Sequence, residues 1–249
     1  MPIRVAHLSQ SDLSGGAAIS AYRLHRGLLG EHVDSRMMVH HRVSDDPEVV
    51  RLPSWHRIWR RVRQELEGRA ARELNRNPDY CAWSLPLLPG FTSPVIGKLK
   101  PDVINLHAVD GICAPWDIGK LKPPVVWTVH DEWAASAGFH FWVPRDEHFL
   151  EAGPLEKAFS GRPQRMLRAK LKHWKDKEDL VIVSPSRWLA GVMASAPHFA
   201  KTRIEVIPYG IETATTPLEP GVWRDRHGVS ASAKVIGYGA AACLNNFRK

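Results

Sequence analysis

The sequence predicts an α/β fold, a Rossmann-like parallel sheet covered by helices. Three observations carry that expectation. Short apolar runs without alternation recur along the chain, as strands buried on both faces require. Helically spaced stretches lie between them, and that alternation implies βαβ units. Loops bearing glycine, histidine and serine follow the runs, where a parallel sheet places its ligands.

Residues 3–8 read as the first strand. Polar residues 9–14 and the pair Gly15 and Gly16 lead into a helix, with Ala17, Ala18, Ala21, Leu24 and Leu28 at helical spacing. Gly30 ends it, and residues 33–39 form the next strand. Residues 40–53 are polar and turn-rich. Residues 55–76 form a long helix with one apolar stripe, Trp55, Ile58, Trp59, Val62, Leu66, Ala70 and Leu74. Arg57, Arg60, Arg61, Arg63 and Arg69 supply much of the rest. Packed on the sheet, that stripe is core; laid on an anionic bilayer, it is a membrane anchor. Residues 77–100 are broken by proline and glycine and take no firm element.

Three clearer strands follow at 103–107, 125–130 and 180–184, with a short helix at 116–121 and a basic helix at 162–175. Ser184 is placed to cap a further helix with Pro185 at its first position. Residues 203–207 read as another strand. Beyond it, Pro208, Pro217 and Pro220 mark a linker, and residues 234–239 resemble the first strand of a new unit. The chain therefore divides into an α/β domain at 1–207, a linker at 208–233 and the truncated start of a second domain at 234–249.

The 249 residues carry 34 Lys and Arg against 26 Asp and Glu, a formal charge of +8. That favours an anionic partner such as a phosphorylated ligand or a membrane; no nucleic-acid module accompanies it. Cys81, Cys113 and Cys243 are too widely spaced for a Cys-only zinc site or a disulfide framework. No apolar run is long enough for a membrane span or of signal-peptide type. A cytoplasmic location follows.

Candidate site residues sit at strand ends. Gly15 and Gly16 open a helix whose free N–H groups and dipole suit phosphate, although they also fit a plain tight turn. His130 and His107 end sister strands; each suits a sugar hydroxyl or a structural carbonyl equally. His7, His107 and His130 with Asp12 or Asp131 show no metal-ligand spacing, so no metal is expected.

Together the blocks HLSQSDLSGGAAISAYRLHRGL, DVINLHAVDG, KLKPPVVWTVHDEWAASAGFH, VIVSPSRWLAG, IEVIPYGIET and VIGYGAAACLNNFRK resemble bacterial GT-B glycosyltransferases of the family-four type. The nearest resemblance is to the colanic-acid and exopolysaccharide subgroup. It implies the N-terminal, acceptor-side half of a retaining enzyme that moves a sugar from a nucleotide-sugar donor to a glycan, lipid-linked or small-molecule acceptor. It implies no cofactor and no divalent metal. By position, Gly15 and Gly16 match the glycine loop near the donor diphosphate, and Arg248 and Lys249 open the basic segment that meets it. His130 matches the strand-end histidine at the transferred sugar. Asp12, His107, Asp131, Ser186 and Arg187 are weaker acceptor or cleft candidates. The resemblance also implies that residues 1–249 alone lack turnover, and that the enzyme works in the cytoplasm at the inner face of the plasma membrane.

The chain departs from that family at three places. Gly138-Phe139-His140 runs on without the usual cysteines, Tyr209-Gly210 replaces Asn-Gly, and Glu212 replaces Asp. Two other functions fit parts of the sequence, a module binding anionic membrane or polymer, and a nucleotide-dependent epimerase or oxidoreductase. The incomplete glycine motif disfavours the latter.

Overall fold

The computed structural model describes residues 2–76, 80–142, 161–211 and 221–236. They fall in two compact units that divide after Gly210.

The first unit opens with β1 (Arg4–Ser11), α1 (Gly16–Gly30) and β2 (Asp34–His41). β3 (Val49–Arg51), α2 (Ser54–Arg76), β4 (Tyr80–Trp83) and α3 (Thr92–Ile96) follow. The chain continues through β5 (Val103–Leu106), α4 (Pro115–Gly119), β6 (Val125–Thr128) and β7 (Phe139–Trp142). α5 (Gly161–Trp174), β8 (Leu180–Ser184), α6 (Arg187–Ser195) and β9 (Arg203–Val206) complete it. Seven strands form one sheet in the order β3-β2-β1-β5-β6-β8-β9. Every pairing in it is parallel. The α/β, Rossmann-like expectation holds. β4 and β7 make a separate antiparallel ribbon.

Leu8, Ile104, Leu106, Trp127 and Ile182 fill the sheet centre. Trp127, Trp133, Trp174 and Phe199 pack edge-on or stacked beside them. Three of the buried indoles find a carbonyl: Trp174 Nε1 donates to Pro115 O at 2.8 Å, Trp133 to Ser84 O at 2.9 Å and Trp127 to His107 O at 3.3 Å. That satisfaction is what lets so much tryptophan go inside.

Of the two readings of the α2 stripe, packing on the sheet does not hold. Its apolar residues Trp55, Ile58, Val62 and Leu66 are 48%, 62%, 47% and 48% exposed, while His56 and Arg63 are each 1% exposed. The face turned inward meets much loop backbone, with apolar contacts at Ala71 and between Trp59 and Phe91. Arg63 Nη1 donates to Ile112 O at 3.0 Å, and Trp59 Nε1 donates to Pro89 O at 2.6 Å. Glu67 accepts from Leu88 N at 2.9 Å and pairs with Arg63 at 3.2 Å. Buried loop groups demand polar partners, and an apolar face could not supply them.

Smaller corrections fall elsewhere in the chain. β3, β4, α3 and β7 lie in stretches assigned no element. The cap of α6 is Ser186, not Ser184: Ser186 Oγ accepts from Leu189 N at 3.2 Å, whereas Ser184 Oγ donates to Ser186 O at 2.8 Å. In α1, His25 is buried and Leu24 exposed, because His25 Nδ1 bonds Ser35 Oγ at 2.7 Å.

In the second unit, α7 (Val222–His227) stops at Gly228, which takes the left-handed conformation at φ 62°. Residues 234–236 carry no strand. The rest of the expected strand, together with Glu212, Cys243, Arg248, Lys249 and the Cys81 side chain, lies outside the described residues. Cys113 is buried and free. Among the described residues, no helix is long and apolar enough to cross a membrane.

Candidate active site

The candidate residues gather at the C-terminal ends of the central strands. At the end of β1, Asp12 is buried and its carboxylate accepts from Val43 N and Ser44 N, both at 2.8 Å, and from Leu13 N at 3.1 Å. Burial alone would raise its pKa. The bonds from Ser44 and Val43 overcome that and hold it at about 2. Asp12 thus ties the β1 and β2 loops together from within, with no oxygen turned toward a cleft.

That loop delivers Gly15 and Gly16. Gly15 sits at φ 95°, a conformation that L side chains resist, and no side chain caps α1. A Cβ at either glycine would meet nothing within 4 Å. Open space above an uncapped helix start is the geometry an anionic group needs.

A shallow recess lies between the ends of β5 and β6, lined in part by His107, Asp110, His130, Asp131 and Trp133. It brings together three of the expected residues, His107, His130 and Asp131. Gly15, Gly16, Ser186 and Arg187 line other parts of the strand-end surface; Ser186 and Arg187 are exposed at the start of α6.

Four rings run along this edge. His7 Nδ1 lies 3.2 Å from both Asn105 Oδ1 and His107 Nε2. His107 Nδ1 lies 3.3 Å from His130 Nε2, and His130 Nδ1 lies 2.6 Å from Tyr209 Oη. Burial holds His7 neutral at about 3 and His130 at about 4, the latter despite Asp131. His107 is pushed well below 6.5 by burial and its two histidine neighbours. At neutral pH these three are uncharged donors and acceptors.

His140 is the opposite case. Its Nδ1 lies 2.7 Å from Asp131 Oδ2, and its Nε2 lies 2.8 Å from Ser84 Oγ and 3.4 Å from Asp110 Oδ2. Burial disfavours the cation, but bonds and charges from Asp110 and Asp131 outweigh it and raise the pKa to about 10. Asp131 Oδ1 also accepts from Trp133 N at 2.9 Å. Asp131 is therefore held by protein groups on both oxygens.

Beneath this loop, buried Lys170 donates to Trp133 O, and to Ser136 O at 2.9 Å, with its Nζ 4.1 Å from the Trp133 ring centroid. Burial pushes its pKa well below 10.5. The lysine pins the 133–136 loop from inside, which sets the floor of the recess.

Sequence reading passed over Asn105, Asp110, His140, Lys170 and Tyr209. A polar Asn105 two residues before His107, inside an apolar run, was the available signal: a buried amide must be bonded. Among the described residues, no group of three or more His, Cys, Asp or Glu side chains is placed to hold a metal.

Curated proteins include no match to this chain. The family model described as Glycosyltransferase Family 4 matches residues 14–215, which spans the glycine pair, the ends of β5, β6 and β8, and Tyr209. With a parallel sheet, an open helix start and a polar cleft in the expected places, the chain belongs to glycosyltransferase family 4.

Proposed function

We propose that this glycosyltransferase domain forms the acceptor side of a retaining enzyme fed by a nucleotide-sugar donor. The observation that carries the reading is the shared edge. An uncapped, sterically open α1 start suited to diphosphate stands on the same strand-end surface as the neutral His130 beside a shallow recess. In this reading Gly15 and Gly16 face the donor diphosphate, and His130 orients the transferred sugar by hydrogen bonding. His107 and Asp131 shape the recess from behind His130. Ser186 and Arg187 offer acceptor contacts. Residues 1–207 are the acceptor-side domain, 208–233 the linker and 234–249 the opening of the donor-gripping domain, where Arg248 and Lys249 meet the pyrophosphate. No cofactor is needed. The acceptor is a glycan or lipid-linked sugar of the kind exopolysaccharide assembly uses.

The exposed stripe of α2 supports a place of work. Trp55, Ile58, Val62 and Leu66 stand outward beside exposed Arg61, Arg69 and Arg72. That pairing suits the inner, anionic face of the plasma membrane.

The test is transfer of labelled sugar by the full-length gene product to a lipid extract, read by NMR at the anomeric carbon. Retained configuration is expected. His130→Ala should lower turnover by about 100-fold while shifting the unfolding free energy by less than about 1 kcal/mol. Inverted product overturns the retaining reading, and unchanged turnover overturns the role of His130.

A further inference from the structure

The ring chain has a direction, and one amide sets it. Asn105 Nδ2 donates to the backbone carbonyl Val126 O at 3.0 Å. A backbone carbonyl only accepts, so the amide cannot be turned over, and Asn105 Oδ1 must face His7. An oxygen there accepts; His7 Nδ1, 3.2 Å away, must carry the proton. The other tautomer would also leave a proton on His7 Nε2, a buried atom with no partner among the described residues.

The consequence passes along the rings. Because His7 Nδ1 carries a proton, His107 Nε2 is a lone pair that receives it at 3.2 Å. A neutral imidazole has one N–H, so His107 carries it on Nδ1 and donates to His130 Nε2 at 3.3 Å. His130 must then hold its own proton on Nδ1, the nitrogen facing Tyr209 Oη at 2.6 Å. The register makes the chain possible: His7 stands opposite Asn105, and Asn105 opposite Val126, across three adjacent strands.

We infer that Asn105, through His7 and His107, is the positioning residue that fixes His130 as the Nδ1–H tautomer. His130 thereby presents a hydrogen-bond donor, and no lone pair, to whatever meets its outward edge. Nε2, the atom a base would use, is occupied from behind by His107. Aligned donors polarise one another, which strengthens the outermost N–H. Tyr209 accepts that N–H and stacks on the ring at 5.5 Å between centroids. The outward edge is thereby covered by this chain's own phenol. A sugar hydroxyl or ring oxygen that displaces Tyr209 takes over a donor already aimed. The inference deepens the proposed role of His130 and rests on it only for that last step.

The experiment is ¹⁵N NMR of the full chain labelled at histidine, with the His130 signals identified by their loss in His130→Gln. Ring-nitrogen shifts separate a protonated from an unprotonated nitrogen. Wild type should show Nδ1–H at His130 in about tenfold excess, against the Nε2–H preference of free imidazole. Asn105→Asp keeps the accepting oxygen and should keep that excess. Asn105→Leu should abolish it, reversing the ratio toward Nε2–H. If Asn105→Leu does not fold, His107→Phe removes the donor behind His130 and should have the same effect. Nε2–H at His130 in wild type overturns the inference, as does an Nδ1–H excess that survives in folded Asn105→Leu or, where that variant does not fold, in His107→Phe. Failure of the sugar-transfer role is a separate outcome: His130→Ala would then leave turnover intact while the tautomer pattern stood.

Discussion

Removing the His140 imidazolium should convert a pH-dependent clamp into a pH-independent weakness. His140 lies between Asp110 and Asp131, and its pKa rises from 6.5 to about 10 because the two carboxylates outweigh burial. A group whose folded pKa is raised adds stability that is fully present below the unfolded value. That stability fades as pH climbs from 6.5 through about 10. At 1.36 kcal/mol per unit, the whole effect is about 5 kcal/mol at most, and about 3 kcal/mol of it should vanish between pH 6.5 and 9.5. Buried Lys170, with its lowered pKa, titrates with the opposite sign in part of that range. The informative quantity is therefore the difference between wild type and His140→Gln, from urea unfolding at each pH. The wild-type advantage should be largest at pH 6.5 and shrink by about 3 kcal/mol at pH 9.5. An advantage constant to within about 0.5 kcal/mol would refute the clamp.

Three further outcomes are expected. Asp12→Asn should cost about 2 kcal/mol at pH 7, since the folded pKa of about 2 lies below 3.8; the cost should disappear in unfolding measurements as pH falls through 2. Gly138→Ala should lower stability by about 2–3 kcal/mol in thermal melts. The residue sits at φ 123°, and a Cβ would come within 2.6 Å of Leu85 Cδ2 and 2.9 Å of Ser84 O. Ile58→Glu with Val62→Glu should reduce co-sedimentation with phosphatidylglycerol vesicles by about tenfold or more, with circular dichroism unchanged because both side chains are already exposed. Wild-type binding that is equally weak to anionic and neutral vesicles would remove the membrane reading.

The strands that form the sheet centre were legible because each is built on a short, mainly apolar run, and the loops after them held His107, His130 and the glycine pair. Legibility failed wherever a polar group was the structural element. α2 shows this most clearly: apolar periodicity left the tryptophan stripe free to face the sheet or a membrane, and the inward face is the one whose arginine and glutamate reach the Ile112 carbonyl and the Leu88 amide. Periodicity registers side-chain hydrophobicity and is silent about what the neighbouring loops need. β4 and β7 escaped for a related reason. They are four-residue strands whose pairing partner lies some sixty residues away (Tyr80 opposite Trp142), with no local pattern to announce it. His140 was visible in Gly138-Phe139-His140, but its two carboxylate partners come from the ends of β5 and β6 and meet it only in three dimensions.

The strand order carries a consequence for how the domain comes apart. Its two edges are β3, three residues long, and β9, four residues with Arg203 and Glu205 along it. Short, charged edges discourage pairing with another chain, and they are also where backbone amides first lose protection. β1, β5 and β6 each have a neighbour on both sides. Hydrogen exchange should therefore advance from the margins inward, with the strands bearing His7, Asn105 and the approach to His130 among the last to open. Fluctuations that fray the β9 edge reach Tyr209 just beyond it but leave His7, Asn105 and His107 in place, so the periphery can move without losing the alignment of the histidine rings.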